Sequence, residues 1–212
     1  MITQTPPELL FGADESMIDG YKSLKVLTRK ETKEGLLKLA ESFPHITGMF
    51  AHSASGVALP PFIILSNMKR ASHEISDIMK AHSSWIASTK SGWQTKESFF
   101  VWCVFFTHWL SLYRVNLPEN IRNMPALLIV DGHSSRQCPI AIELMKIHNN
   151  NIVVLPSHTS HITQMFDVLL ASSLKVTYKE KLMRVCKRDQ TESWSTIGFH
   201  RYNSIVSLIS SW

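Results

Sequence analysis

Three aspartates stand where carboxylates can do work on phosphate esters. Asp14 and Asp131 each follow a short apolar run, residues 8–13 and 126–130, and Asp167 sits in the first turn expected of a long helix. Neighbouring strand ends in an open α/β sheet converge on one edge, which is where such sheets take ligands. Asp14 and Asp131 can therefore meet, and Asp167 joins them if its helix packs across that edge. Three acids gathered away from water repel one another unless divalent cations neutralise them. Mg²⁺ takes oxygen ligands of this kind, and two ions about 3.5–4 Å apart serve in-line displacement at phosphodiesters. Aspartate also caps helices and opens turns, so each of the three, taken alone, has a purely structural reading.

The elements that must position these acids alternate along the chain. Residues 8–13 read as a buried strand, and the Lys-rich stretch 21–43 as a weak helix near 33–41 or an ordered loop. Strands follow over 45–52 and 59–65, joined by a turn at 53–56 in which Gly56 supplies a positive φ. Residues 66–90 are polar and read as an irregular surface excursion. Thr95 is placed to cap a helix running to about Tyr113. That helix is apolar nearly all round (Phe99, Trp102, Phe105, Trp109), as in a core and unlike a base-stacking platform. Ala126–Val130 has the continuous apolar pattern of a central strand. Pro139 suits the first turn of a helix reaching about His148, with Ile140, Leu144 and Ile147 on one stripe. A strand over 152–155 precedes a helix from about Met165 to Arg188, in which Phe166, Leu170, Leu174, Tyr178 and Leu182 recur every four residues. The order implies an α/β domain with a mixed sheet.

Composition narrows the class. The chain has 212 residues, 44% of them hydrophobic and 18% charged, enough to bury a core. A net charge of +5 permits a nucleic-acid partner without demanding one. Cys103, Cys138 and Cys186 form no CxxC pair, which argues against a disulfide framework or zinc ribbon and for reduced intracellular thiols. Residues 1–10 lack a basic segment followed by an apolar one, so no secretory signal is expected. The apolar run 99–106 is far shorter than the roughly 20 residues a bilayer span needs.

Five collinear segments carry a family resemblance. Ala126-Leu-Leu-Ile-Val-Asp131-Gly-His-Ser-Ser135 resembles the "LLILDGHSSH" element of the pogo, Jerky and CENP-B type of DDE transposase domain. The segment 155–168, with His158, His161 and Asp167, resembles its "LPPHTSHILQPLDV". Asp14-Glu-Ser matches the first-acid element "N-x-DET", residues 45–64 resemble the hairpin "TVLLCVSADGTALPPLVIF", and Ser91-Gly92-Trp93 resembles "SGWM". The likeness covers roughly residues 9–185. Met165 replaces the family proline, Leu169 to Ser173 replace "GVFGP", and Arg136 stands where the family has the histidine closing "DGHSSH".

The resemblance implies an RNase H-like fold, a mixed sheet flanked by helices. Residues 9–188 would form the catalytic domain, after an N-terminal remnant (1–8) and before a C-terminal extension (189–212) read as the truncated end of the same domain. Complete members of the family carry a helix-turn-helix DNA-binding region ahead of this domain, and none is read before residue 9. Asp14, Asp131 and Asp167 would hold two Mg²⁺ or Mn²⁺ ions, one activating water or a 3′-hydroxyl and the other stabilising the leaving oxygen. Glu15 is an auxiliary candidate, with a solvated turn acid as its other reading. His133, His158 and His161 would bond loop backbone or the scissile phosphate; His158-x-x-His161 has zinc-like spacing but lacks a second ligand pair. Lys175 and Lys179 would lead a DNA backbone toward the metals, unless they form an ordinary solvated face. The implied function is a nuclear transposase-type nuclease and strand transferase acting on DNA, at transposon ends or non-specifically, with a homodimer left open. The alternative is a decayed or domesticated nucleic-acid-binding copy without catalysis. A single-metal phosphatase fits poorly, since no phosphate-cradling glycine loop is present.

Overall fold

The apolar runs pair into one sheet. In the computed structural model the described residues are 4–18, 46–156, 171–188 and 197–212. A 3₁₀ turn at Pro7–Leu9 leads into β1 (Leu10–Ile18), followed by β2 (Ile46–Ser53) and β3 (Phe62–Ser66). Then come α1 (His73–Ala81), β4 (Trp85–Thr89), α2 (Lys96–Val115), the one-turn α3 (Glu119–Arg122) and β5 (Ala126–Val130). A 3₁₀ turn at Ser134–Arg136 precedes α4 (Pro139–Ile147), β6 (Asn150–Val154), α5 (Ala171–Arg188) and α6 (Ile197–Ile209).

Among these residues the strand order is β4-β3-β2-β1-β5-β6. β2 runs antiparallel to both β1 and β3, whereas β5 is parallel to β1, β6 to β5, and β4 to β3. An antiparallel meander continued by parallel strands beside β1, with helices on both faces, is the RNase H-like arrangement expected from the sequence. The β2–β3 connection turns at Gly56, whose φ of +89° is one an L side chain rarely adopts.

Strand alternation sorts the core into two layers. Phe11 and Ala13 of β1, Met49 and Ala51 of β2, and Leu128 and Val130 of β5 pack under α2 and α4. Ile18, Phe50, Ile63 and Leu65 face the other way, toward Leu174, Tyr178 and Leu182 of α5 and Ile205, Leu208 and Ile209 of α6. The segment 189–212 thus includes a helix that shares the core. Gly48 gives the second layer its close fit, because a Cβ there would stand 2.5 Å from the Phe50 ring.

Helix α2 starts where Thr95 predicts. Its hydroxyl accepts the Ser98 N–H at 3.2 Å while Ser98 Oγ accepts the Thr95 N–H at 2.8 Å, a reciprocal cap. Several sequence expectations need correction. Residues 66–90 hold α1 and β4 rather than an irregular excursion: Ser72 caps α1, and Ile75 and Met79 bury one turn apart. The stripe of α4 is Ala141 and Met145 with Leu144 packed beside them, while Ile140 and Ile147 are exposed. β1 does not stop at residue 13 but runs through Asp14 to Ile18, because its backbone keeps pairing with β2 as far as Ile46.

Candidate active site

β1 is the strand that fixes the first acid. Its antiparallel ladder places Asp14 opposite Phe50, and its parallel ladder pairs Leu10 with Leu127, Phe11 with Leu128 and Gly12 with Ile129. The same register carried two residues further sets Asp14 level with Asp131, the first residue beyond β5. Asp14 therefore lies mid-strand where its parallel neighbour ends. Alternation puts it with Ile18 on the α5 and α6 side of the sheet, and Glu15 with Ala13 on the α2 side. Asp14 is buried, and its Oδ1 accepts the Glu15 N–H at 2.8 Å.

Asp131 is engaged by a cation from its own loop. Arg136 Nε donates to Asp131 Oδ1 at 2.9 Å, and the arginine side chain is wholly buried while the aspartate is partly exposed. The 3₁₀ turn brings Arg136 back onto Asp131, with the Arg136 N–H bonded to His133 O at 3.0 Å. The rest of the guanidinium is also held. Nη1 donates to Gln94 Oε1 and, at 3.1 Å, to Ser135 Oγ; Nη2 lies 4.0 Å from Met49 Sδ; and the Phe99 ring centroid is 5.1 Å from its central carbon.

Glu15 completes the electrostatics on that side. Burial pushes its carboxyl above the ordinary value; Arg136 and His133 oppose the shift and Asp131 adds to it. Glu15 Oε2 is buried and has no hydrogen-bond partner among the described residues. The His133 ring is 3.8 Å from Glu15 Oε1, while its Nδ1 accepts the Ser135 N–H at 3.3 Å, so it serves first as a cap on its own turn.

Two polar residues were not singled out by the sequence reading. Gln94 follows the "SGW" segment and receives Arg136. His52 lies opposite Gly12, on the Phe50 side of β2, buried, with neither ring nitrogen partnered among the described residues. Burial pushes the pKa of its ring down. A histidine in an otherwise apolar strand face is the signal that could have found it.

His158, His161 and Asp167 lie outside the described residues. On α5, Lys175 is exposed and Lys179 half-buried. The donor types of Asp14 and Asp131, carboxylate oxygens set at one level by the β1–β5 register, suit a hard divalent cation, whereas Glu15 faces the other side of the sheet. Among the described residues no three His, Cys, Asp or Glu side chains gather closely enough to hold an ion.

Comparison with known proteins adds two findings. The family model described as DDE superfamily endonuclease matches residues 45–209. A Cochliobolus lunatus protein described as MFS-type transporter clz9 is 28% identical over 131 residues, 61% of this chain and 13% of that protein. Among the described residues no helix is long and apolar enough to cross a membrane.

Proposed function

The chain belongs to the DDE superfamily of endonucleases, and from that premise we propose that it is a pogo-type transposase domain that cuts and joins DNA phosphodiesters in the nucleus. Endonucleases of this superfamily act on DNA with divalent metals. Asp14, Asp131 and Asp167 would hold two Mg²⁺ or Mn²⁺ ions, which supply Lewis acidity at the scissile phosphate and ease formation of the attacking oxygen. The observation that supports the reading is the parallel register of β1 beside β5, which carried two residues on sets mid-strand Asp14 level with Asp131, just past the end of β5, the edge where such sheets take ligands.

The chain's own residues do the positioning. The β2 ladder fixes the backbone of Asp14, and Arg136 fixes one oxygen of Asp131. Helix α5 covers the face that Asp14 occupies and offers Lys175 to an approaching phosphate backbone.

Nicking of supercoiled plasmid in Mg²⁺ or Mn²⁺ tests this. Slow but measurable nicking is expected, reduced by about a hundredfold or more in Asp14→Asn, Asp131→Asn and Asp167→Asn, since even a ~1 Å misplacement of a reacting group can cost that much. Nicking indifferent to all three substitutions would refute the assignment. A second reading, a domesticated DNA-binding copy without catalysis, is favoured by one observation: Asp131 already carries a counter-ion. It predicts salt-sensitive DNA binding and no nicking at any metal concentration.

A further inference from the structure

We propose that Arg136 is an internal counter-ion of Asp131, occupying electrostatically the place of a metal so that the second acid is satisfied in metal-free protein and binds cations weakly. This rests on the reading of Asp131 as a metal ligand. Arg136 is wholly buried, its Nε is 2.9 Å from Asp131 Oδ1, and the remainder of the guanidinium is fastened by Gln94, Ser135, the Met49 sulfur and the Phe99 ring. Nothing in that packing lets the group swing out to solvent without breaking all five contacts. An arginine does not deprotonate in proteins, so its charge persists at every working pH. A divalent ion on the other oxygen of Asp131 would stand within a few ångströms of this fixed cation, and like charges at that range in a partly buried site repel strongly.

The consequence separates two roles that are usually merged. A group that merely orients a metal ligand strengthens metal binding, and its loss typically weakens affinity by about 10–100-fold. A resident counter-ion does the reverse. Removing it frees the carboxylate for the metal while costing stability in the metal-free protein.

The test compares wild type with Arg136→His, Arg136→Met and Arg136→Lys, using Mn²⁺ alone as the probe. Free Mn²⁺ is counted by electron paramagnetic resonance, and thermal unfolding is followed in chelator and in excess Mn²⁺. Arg136→His and Arg136→Met are expected to bind Mn²⁺ about tenfold or more tightly than wild type, an effect of the size that groups around a metal exert. They should also melt lower in chelator and regain more on adding Mn²⁺. Arg136→Lys keeps the charge and should keep the weak affinity, which a purely packing role would not predict. Equal or weaker Mn²⁺ binding in the His and Met variants overturns the inference and leaves the nuclease reading standing. Absence of Mn²⁺ binding in every folded variant overturns both. Should Arg136→Met fail to fold, the Asp131→Asn, Arg136→Met double variant decides. Recovery of folding when both charges are gone supports the pairing, and no recovery refutes it.

Discussion

The two faces of the sheet are built to different ends. Under α2 and α4 the large buried side chains are aromatic or aliphatic, with Phe11 edge-on to Phe106, Trp109 and Tyr113 at 5.3, 6.0 and 6.4 Å. The exception, Arg136, lies at the end of that layer beside Asp131. Toward α5 and α6, Ile18, Phe50 and Leu208 share their burial with Asp14, Ser16 and His52 on the sheet and Asn203, Ser204 and Ser207 on α6. The Asn203 amide nitrogen, the Ser207 hydroxyl and both His52 nitrogens have no hydrogen-bond partner among the described residues. Unpartnered buried polar groups each cost stability. The first face therefore acts as the folding surface. The second places a buried carboxylate and a buried histidine, Asp14 and His52, in its layer, although Glu15 Oε2 on the α2 side and Gln94 Nε2 beside Arg136 also lack partners among the described residues.

The largest expected effect follows from the first face. Phe106 is fully buried and meets Phe11 and Trp102 at 5.3 and 5.4 Å. Phe106→Ala should cost about 3–5 kcal/mol in urea or thermal unfolding. A loss below about 1 kcal/mol, the size of a lost helix cap, would remove the contrast between the faces.

The same contrast explains what the sequence made legible. β5 and α2 announce themselves, one as a continuous apolar run, the other through Thr95 and a helix buried along most of its circumference. α1 and β4 do not. α1 buries only Ile75 and Met79, and β4 is an edge strand whose residues are exposed or half-buried, so neither shows a strong period. In α4 the conspicuous isoleucines, Ile140 and Ile147, face solvent while the quieter Ala141 and Met145 are buried. The acids were visible by type and by resemblance. Asp14's mid-strand position was not, because Asp14-Glu15-Ser16 looks like a turn until β2 is laid beside it. Nor does a linear sequence show that a 3₁₀ turn folds Arg136 back onto Asp131.

A smaller effect tests the second face. His52 is buried, and its pKa is pushed below the ordinary 6.5 by burial. Below the unfolded-state value the unfolded chain takes up a proton that the native ring refuses, so stability falls as pH drops from about 6.5 toward the lower native value. His52→Leu should abolish that part of the slope. It should also raise stability at neutral pH by about 1–2 kcal/mol, since two unpartnered nitrogens are removed. An unchanged pH dependence between pH 7 and 5 would mean that the ring is partnered after all and that this face is better satisfied than its described contacts indicate.

The smallest effect on stability is expected where the second face meets solvent. Lys175 is exposed and Lys179 half-buried on α5, the helix whose Leu174, Tyr178 and Leu182 line the layer beneath. Charges on the outer side of a packed helix contribute little to folding, so Lys175→Gln with Lys179→Gln should shift stability by no more than about 0.5 kcal/mol. Their contribution to DNA binding is a separate quantity. Each phosphate neutralised adds roughly one unit to the slope of log affinity against log salt. If both lysines meet phosphates, the double variant should flatten that slope by about two units while melting like wild type. A flattened slope accompanied by a large drop in melting temperature would mean that the lysines act through the packing of α5. An unchanged slope would move the DNA track off this helix, and the polarity of the second face would then need a cause other than service to a nucleic-acid site.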